Sequence, residues 1–200
     1  MGRGRSAPAA DAPETEALRI CLDLNVYVSD LLATRRGRRG TAVQACVAAV
    51  RRGSSDLGDL RLVVSWGMLT RLRDVLEGKL ALPRGEVERY LGVVARASGV
   101  GTPGAPLVVL GGTGAMPVRD AEDAHVVDVA IAGRADVIVT GNFADFVSYR
   151  TEVVRPDRVA VIAHAAGRLV VAHPAEFAGW VRGGEVPKGD LASGAQQSAS

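Results

Sequence analysis

A three-layer α/β/α sandwich around a central, mainly parallel sheet, with an edge hairpin near the C-terminus, is the fold the sequence predicts. Short apolar runs alternate with segments of helical periodicity, the pattern of βαβ units. The centres of the runs are apolar at consecutive positions, as strands covered on both faces must be. The first two pass directly into a helix through a polar residue. In open parallel sheets such junctions form the rim where sites are built.

Two hundred residues suit one domain with tails: a folded unit over 17–183 between disordered segments at 1–16 and 184–200. Apolar residues make up 48% and aromatics 4%, so the interior is built from Ala, Val and Leu. A net charge of +2 excludes a strong global field for polyanions, and any nucleic-acid contact must be local. Nearly all the positive charge is Arg, which codon composition explains more readily than phosphate binding does. Cys21 and Cys46 fall in a strand and a helix, as core thiols of a reducing compartment. The first 16 residues hold no apolar signal core and no run reaches membrane-spanning length, so a cytoplasmic protein without a membrane partner is expected.

The first strand starts at Leu18 and ends in Asp23-Leu24-Asn25, and Val26–Leu32 begins a helix. Asp23 or Asn25 capping that helix is the bland reading; a place on the rim is the chemical one. Arg35, Arg36, Arg38 and Arg39, spaced by Gly37 and Gly40, form a basic loop, read either as a solvated turn or as a phosphate clamp folding back to the rim. Thr41 caps a helix to Arg52 with Val43, Val47 and Val50 on one face. Residues 53–60 read as a turn and Arg61–Ser65 as the second strand, with Ser65 leading into a helix from Trp66 to Glu77.

Pro83 starts a further helix, a Gly/Pro-rich stretch over 98–106 ends it, and Leu107–Leu110 reads as a strand. Asp120 and Asp123 open a helix to Ala132 whose stripe is Val126, Val127, Ala130 and Ile131. Asp123 stands one turn before that stripe and therefore faces inward, while Asp120 capping is the alternative. His125 falls off the stripe, at the surface or behind the site. Ala135–Thr140 is the clearest strand and runs into Gly141-Asn142-Phe143-Ala144-Asp145-Phe146. Val159–His164 and Arg168–Ala172 form the hairpin, and His173-Pro174 starts the last helix.

Strand ends and helix starts thus present Asp23, Asn25, Ser65, Asp123, Thr140, Asn142 and Asp145. Clustered carboxylates repel unless a cation neutralises them, and hard oxygen ligands suit Mg²⁺ or Mn²⁺. Three scattered histidines offer neither a metal triad nor a Ser-His-Asp order.

Asp23-Leu24-Asn25 after an apolar strand, Asp120-x-x-Asp123 opening a helix, and Val139-Thr140-Gly141-Asn142-x-x-Asp145-Phe146 together resemble the PIN domain. The branch they are most similar to is the bacterial VapC-like one, the toxin components of toxin–antitoxin pairs. Pro174-Ala175-Glu176-Phe177 is similar to that branch's ending, and the resemblance spans roughly 18–180. It implies a Mg²⁺- or Mn²⁺-dependent ribonuclease, often a homodimer, silenced by a small antitoxin protein. Asp23, Asp123 and Asp145 would be catalytic, and with Asn142 would hold the metal. Asn25, Ser65 and Thr140 would meet the substrate, and Arg35, Arg36, Arg38 and Arg39 the RNA backbone.

One departure bears on activity. The pattern of the branch puts Glu where Arg71 stands here, with Asp74 one turn on, and Asn142 replaces an acid. Arg71 favours an alternative: a PIN-like module that binds RNA or protein without cutting. A phosphatase of the haloacid dehalogenase type would also place Asp after its first strand. Its second Asp would fall at Asn25, and a late Asp-Asp pair with an upstream Lys is missing.

Overall fold

The computed structural model describes residues 17–99, 121–147, 151–165 and 167–184, with side chains excluded at 121–124. The tail expected at 1–16, residues 185–200 of the one expected at 184–200, the 100–106 part of the loop, the strand at 107–110 and an Asp120 cap lie outside the described residues, whereas Gly184 is described as the C-cap of the last helix.

Strand β1, Leu18–Leu22, leads into helix α1, Leu24–Arg35, and then helix α2, Ala42–Arg52. Ile20, Cys21 and Leu22 are fully buried, which is why this strand carries no polar alternation. Thr41 caps α2 as the sequence suggests, in a reciprocal capping box with Gln44. Gly53 closes α2 at φ 73, a conformation open to glycine at little cost. The stretch read as a turn then forms a small antiparallel ribbon: β2, Ser54–Ser55, folds back on the start of β3, Gly58–Val63.

Helix α3, Trp66–Asp74, passes into a wide π-helical turn over Val75–Lys79 and does not run straight to Glu77. Helix α4 covers Arg84–Ala97 with Pro83 at its N-cap. Helix α5, Ala121–Ala132, precedes β4, Val137–Val139. Beyond it come β5, Thr151–Arg155; β6, Val159–His164; β7, Gly167–Ala172; and α6, Pro174–Gly183.

The seven strands form one sheet in the order β2-β3-β1-β4-β7-β6-β5. The central run β3-β1-β4-β7 is parallel, and β6 and β5 extend it antiparallel. The expected C-terminal hairpin is present as β6–β7, with β7 seated against β4. The outermost strand is β5, unforeseen in the sequence because its residues are mostly exposed and lack an apolar run. Helices α1, α2 and α6 pack together, and α5 packs on β1 and β4. The chain leaves β1 in one direction to reach β3 and then returns past β1 to β4, and right-handed connections of that kind lay helices on both faces of a parallel sheet. The result is an α/β/α fold.

That reversal has a consequence for function. Connections leave β1 towards β3 and leave β4 towards β7, so the strand order switches between β1 and β4. Sheets of this kind bind ligands at such a switch point, at the carboxyl ends of the strands. Cys21 and Cys46 are free and buried in the core, and burial pushes the Cys46 thiol up to about 12, which leaves it inert. Among the described residues no helix is long and apolar enough to cross a membrane.

Candidate functional site

Register brings the rim residues into a row. Cys21 pairs with Val63 and Leu22 with Val139, so the chain past those pairs sets Asp23 between Ser65 and Thr140. Neighbouring strands lie ~4.8 Å apart, which fixes the spacing of the three. All three are buried.

Asp23 holds the N-cap position of α1, yet its side chain makes no capping hydrogen bond. Its hydrogen bonds run across the rim to Thr140 and Asn25, while the first amides of α1 lie close enough to draw on the same carboxylate. Its Oδ2 accepts from the Thr140 hydroxyl at 2.7 Å and from Asn25 Nδ2 at 2.5 Å. Burial pushes the Asp23 carboxyl above the usual carboxylate range, against the pull of Thr140, Asn25 and the first amides of α1. Among the described residues its hydrogen-bond partners are neutral. A buried carboxylate in that setting is short of positive charge.

Thr140 is the hinge of the network. Its Oγ1 donates to Asp23 and accepts from Asn25 Nδ2 at 3.1 Å and from the Asn142 amide at 3.0 Å, which uses its one proton and both lone pairs. Asn25 in turn accepts the Gly141 amide on Oδ1 at 2.9 Å, tying α1 to the turn after β4. Asn25 therefore shapes the site from within. Asn142 donates its side-chain amide to Asp145 Oδ2 in a very short contact, so these two act as a pair on the turn Phe143–Phe146. Ser65 Oγ accepts from the Met68 amide at 3.1 Å as the cap of α3 and keeps its own proton to donate.

Asp123 lies in the first turn of α5, and its side chain falls outside the described residues. His125, two residues on, is half-buried, and a Cβ added to Gly67 would lie 3.0 Å from its Nε2. The imidazole therefore rests on the first turn of α3, beside Ser65. Gly67 makes that approach possible, and a glycine directly after Ser65-Trp66 at a helix start was the available signal. Arg71 is exposed one turn after Gly67, on the face of α3 that His125 meets, and it has an interaction partner of its own. Asp74 is exposed at the end of the helix.

The basic loop is not brought to this row. Helix α1 starts at Asp23 and rises 1.5 Å per residue, which carries Arg35 about 18 Å away along the axis. Arg35 pairs there with Glu86 at 2.7 Å, and the Arg38 amide turns back to Ala33 O. Arg36, Arg38 and Arg39 are exposed at that end, where Arg39 flanks a shallow cavity of about 340 Å³ with Asp30 and Arg51.

Asp23, Ser65 and Thr140 bring oxygen atoms to this row, and oxygen is the donor that a hard divalent cation takes. Among the described residues no three His, Cys, Asp or Glu side chains come together, so the described contribution is Asp23 and its neutral frame.

A family model described as PIN domain matches residues 19–144, which takes in β1, the Asp23 row and the turn through Asn142. No curated protein and no solved structure matches the chain.

Proposed function

Because the chain belongs to the PIN-domain family and has a nuclease-type fold, we propose that it is an endoribonuclease that hydrolyses RNA phosphodiesters with Mg²⁺ or Mn²⁺. The observation that carries this reading is the placement of Asp23: a buried carboxylate at the switch point, hydrogen-bonded to neutral donors. Such a group gains most from a cation beside it.

Asp23 and Asp123 would hold the ion, with Asn142 and Asp145 completing the ligand set directly or through water. A bound divalent ion supplies an activated water and neutralises charge on the phosphodiester. Thr140 and Asn25 hold the Asp23 carboxylate in one orientation, as partners behind metal ligands do. Ser65 donates its hydroxyl proton to a phosphate oxygen. Arg35, Arg36, Arg38 and Arg39 meet the RNA backbone beyond the cleft, giving affinity that falls with salt. A cytoplasmic toxin, its cleft occluded by a small antitoxin protein and its chain paired as a homodimer, is the narrower form of this reading. It rests on the motif resemblance.

The test is Mn²⁺ titration by calorimetry on the wild type and on Asp23→Asn/Asp123→Asn, with RNA cleavage measured on the same samples. Binding and cleavage lost together in the double variant support the reading. No binding at millimolar metal in the wild type sinks it. Arg71 then favours the second reading, a PIN module that binds RNA or protein without cutting, recognised by binding that survives a chelator together with no cleavage in Mn²⁺.

A further inference from the structure

Trp66 is 50% exposed, and every other described aromatic residue is buried or half-buried. It is the first residue of α3, directly after Ser65. One residue adds 3.8 Å of chain and one strand spacing ~4.8 Å, so the Trp66 Cα lies within about 9 Å of the Asp23 Cα. The backbone of Trp66 thus stands at the edge of the candidate site, and its indole is exposed.

It also forms the mouth of a cleft. Trp66, Leu69, Thr70 and Arg73 recur at helical spacing along one stripe of α3 and face Leu91, Gly92 and Ala95 of α4 across about 200 Å³. Leu69 and Leu91 are buried and make an apolar floor. Arg73 and Glu88 form an ion pair at 3.2 Å along the wall. Gly92 keeps the α4 side open: a Cβ there would meet only Arg96 Nη1, at 3.5 Å.

We propose that this cleft takes one unpaired base of the RNA strand bound at Asp23, stacked on the Trp66 indole, with Arg73 and Glu88 offering a donor and an acceptor to the base edge. The inference rests on the ribonuclease reading and adds to it a subsite for one base beside Asp23. The chemistry favours a base over a partner protein's aliphatic side chain. An aliphatic group would use the floor but strip water from the Arg73–Glu88 pair and return no hydrogen bond. A base brings both a π-face and a polar edge, and proteins that read single strands splay bases onto aromatic side chains in this way. A paired base cannot enter, so duplex RNA is excluded.

The test uses the full chain carrying Trp180→Phe. Trp180 is buried in α6, so the variant leaves Trp66 as the sole indole emitter. A mixed-sequence single-stranded RNA is titrated in EDTA, followed by Trp66 emission and by anisotropy of a labelled strand. Strong quenching is expected with the single strand and none with the matching duplex. An abasic residue at one position of the strand should weaken binding about tenfold, the scale of base–aromatic stacking. Trp66→Ala and Gly92→Leu, which fills the cleft from α4, should erase that positional effect, and Trp66→Tyr should keep it.

RNA that binds by anisotropy without quenching, or a duplex that quenches equally, overturns the stacking inference. Metal-dependent cleavage in that case leaves the ribonuclease reading standing. Quenching without cleavage in Mn²⁺ overturns the ribonuclease reading and keeps the cleft. RNA that neither binds nor is cut overturns both.

Discussion

Thr140 donates its hydroxyl proton to Asp23 across 2.7 Å and so joins the carboxyl ends of β4 and β1 at the point where the strand order reverses. The same oxygen accepts from Asn25 and from the Asn142 amide. One hydroxyl therefore orients the buried carboxylate and anchors the turn that carries Asn142 and Asp145.

Thr140→Val keeps the side-chain shape and removes that hydroxyl. Asp23 loses a donor and the Asn142 amide loses its acceptor, which should cost about 2–3 kcal/mol at neutral pH. Urea denaturation measures it, with Thr140→Ser expected to restore most of the loss. Mn²⁺ affinity should fall in parallel, because the carboxylate is no longer held. A loss of stability below about 0.5 kcal/mol would show that the hydroxyl is not the hinge of the network.

Gly133 is where α5 comes down onto β3. A Cβ at this position would lie 2.2 Å from Val63 Cγ1 and 3.2 Å from Val129 O, closer than packed atoms allow. Val63 is β-branched and fully packed, so it has little room to yield. Gly133→Ala should therefore destabilise by about 1–3 kcal/mol, despite the better helix propensity of alanine. Adding Val63→Ala opens space, so the double variant should lose less than the two single losses together. Strict additivity would mean the contact is not what Gly133 is there to avoid.

Arg71 stands on the face of α3 that meets His125, near the helix start that belongs to the rim. Positive charge beside a cation site weakens it. Arg71→Glu should tighten Mn²⁺ binding severalfold by calorimetry and raise cleavage with it. A flat or weaker affinity would place Arg71 outside the field of the site.

The sequence made the parallel core legible because Ile20–Leu22 of β1 and the whole of β4 are buried on both faces and must be apolar. Asp23, Ser65 and Thr140 could be placed on one rim because each follows such a run directly. What could not be read was relative placement. The fate of the Arg35–Arg39 loop depends on the length and direction of α1, which carries it away from the row. The role of Asn25 depends on its reach to Gly141, 116 positions on in the chain. The edge strand β5 escaped because edge strands are half solvated and have no apolar signature, with Val153 and Val154 themselves exposed. The approach of His125 to Gly67 is a helix-to-helix distance, and no spacing within either helix encodes it.

Asp30 tests the electrostatics away from the rim. It is buried on α1, with the Tyr90 hydroxyl 2.9 Å from Oδ2 and 3.0 Å from the Tyr27 carbonyl. That hydroxyl has one proton and two acceptors. With Asp30 ionised, Tyr90 can serve the carboxylate or the carbonyl but not both. With Asp30 protonated, the acid can donate to Tyr90 and Tyr90 to Tyr27, and every group is satisfied. Burial pushes the Asp30 carboxyl above its usual value, and the Tyr90 bond and the nearby Arg51 only partly oppose this. A raised folded-state pKa means the native state holds its proton more tightly than the unfolded chain does. Stability from this group is then complete below the ordinary carboxylate pKa and is lost as pH rises through the folded value. Asp30→Asn keeps the acceptor, supplies a permanent donor and does not titrate. Its melting temperature should match that of the wild type in mild acid and exceed it at pH 7. Thermal melts from pH 4 to 8 measure the gap, and a variant less stable than the wild type at pH 7 would show that the ionised carboxylate, paired with Arg51, is the form the fold prefers.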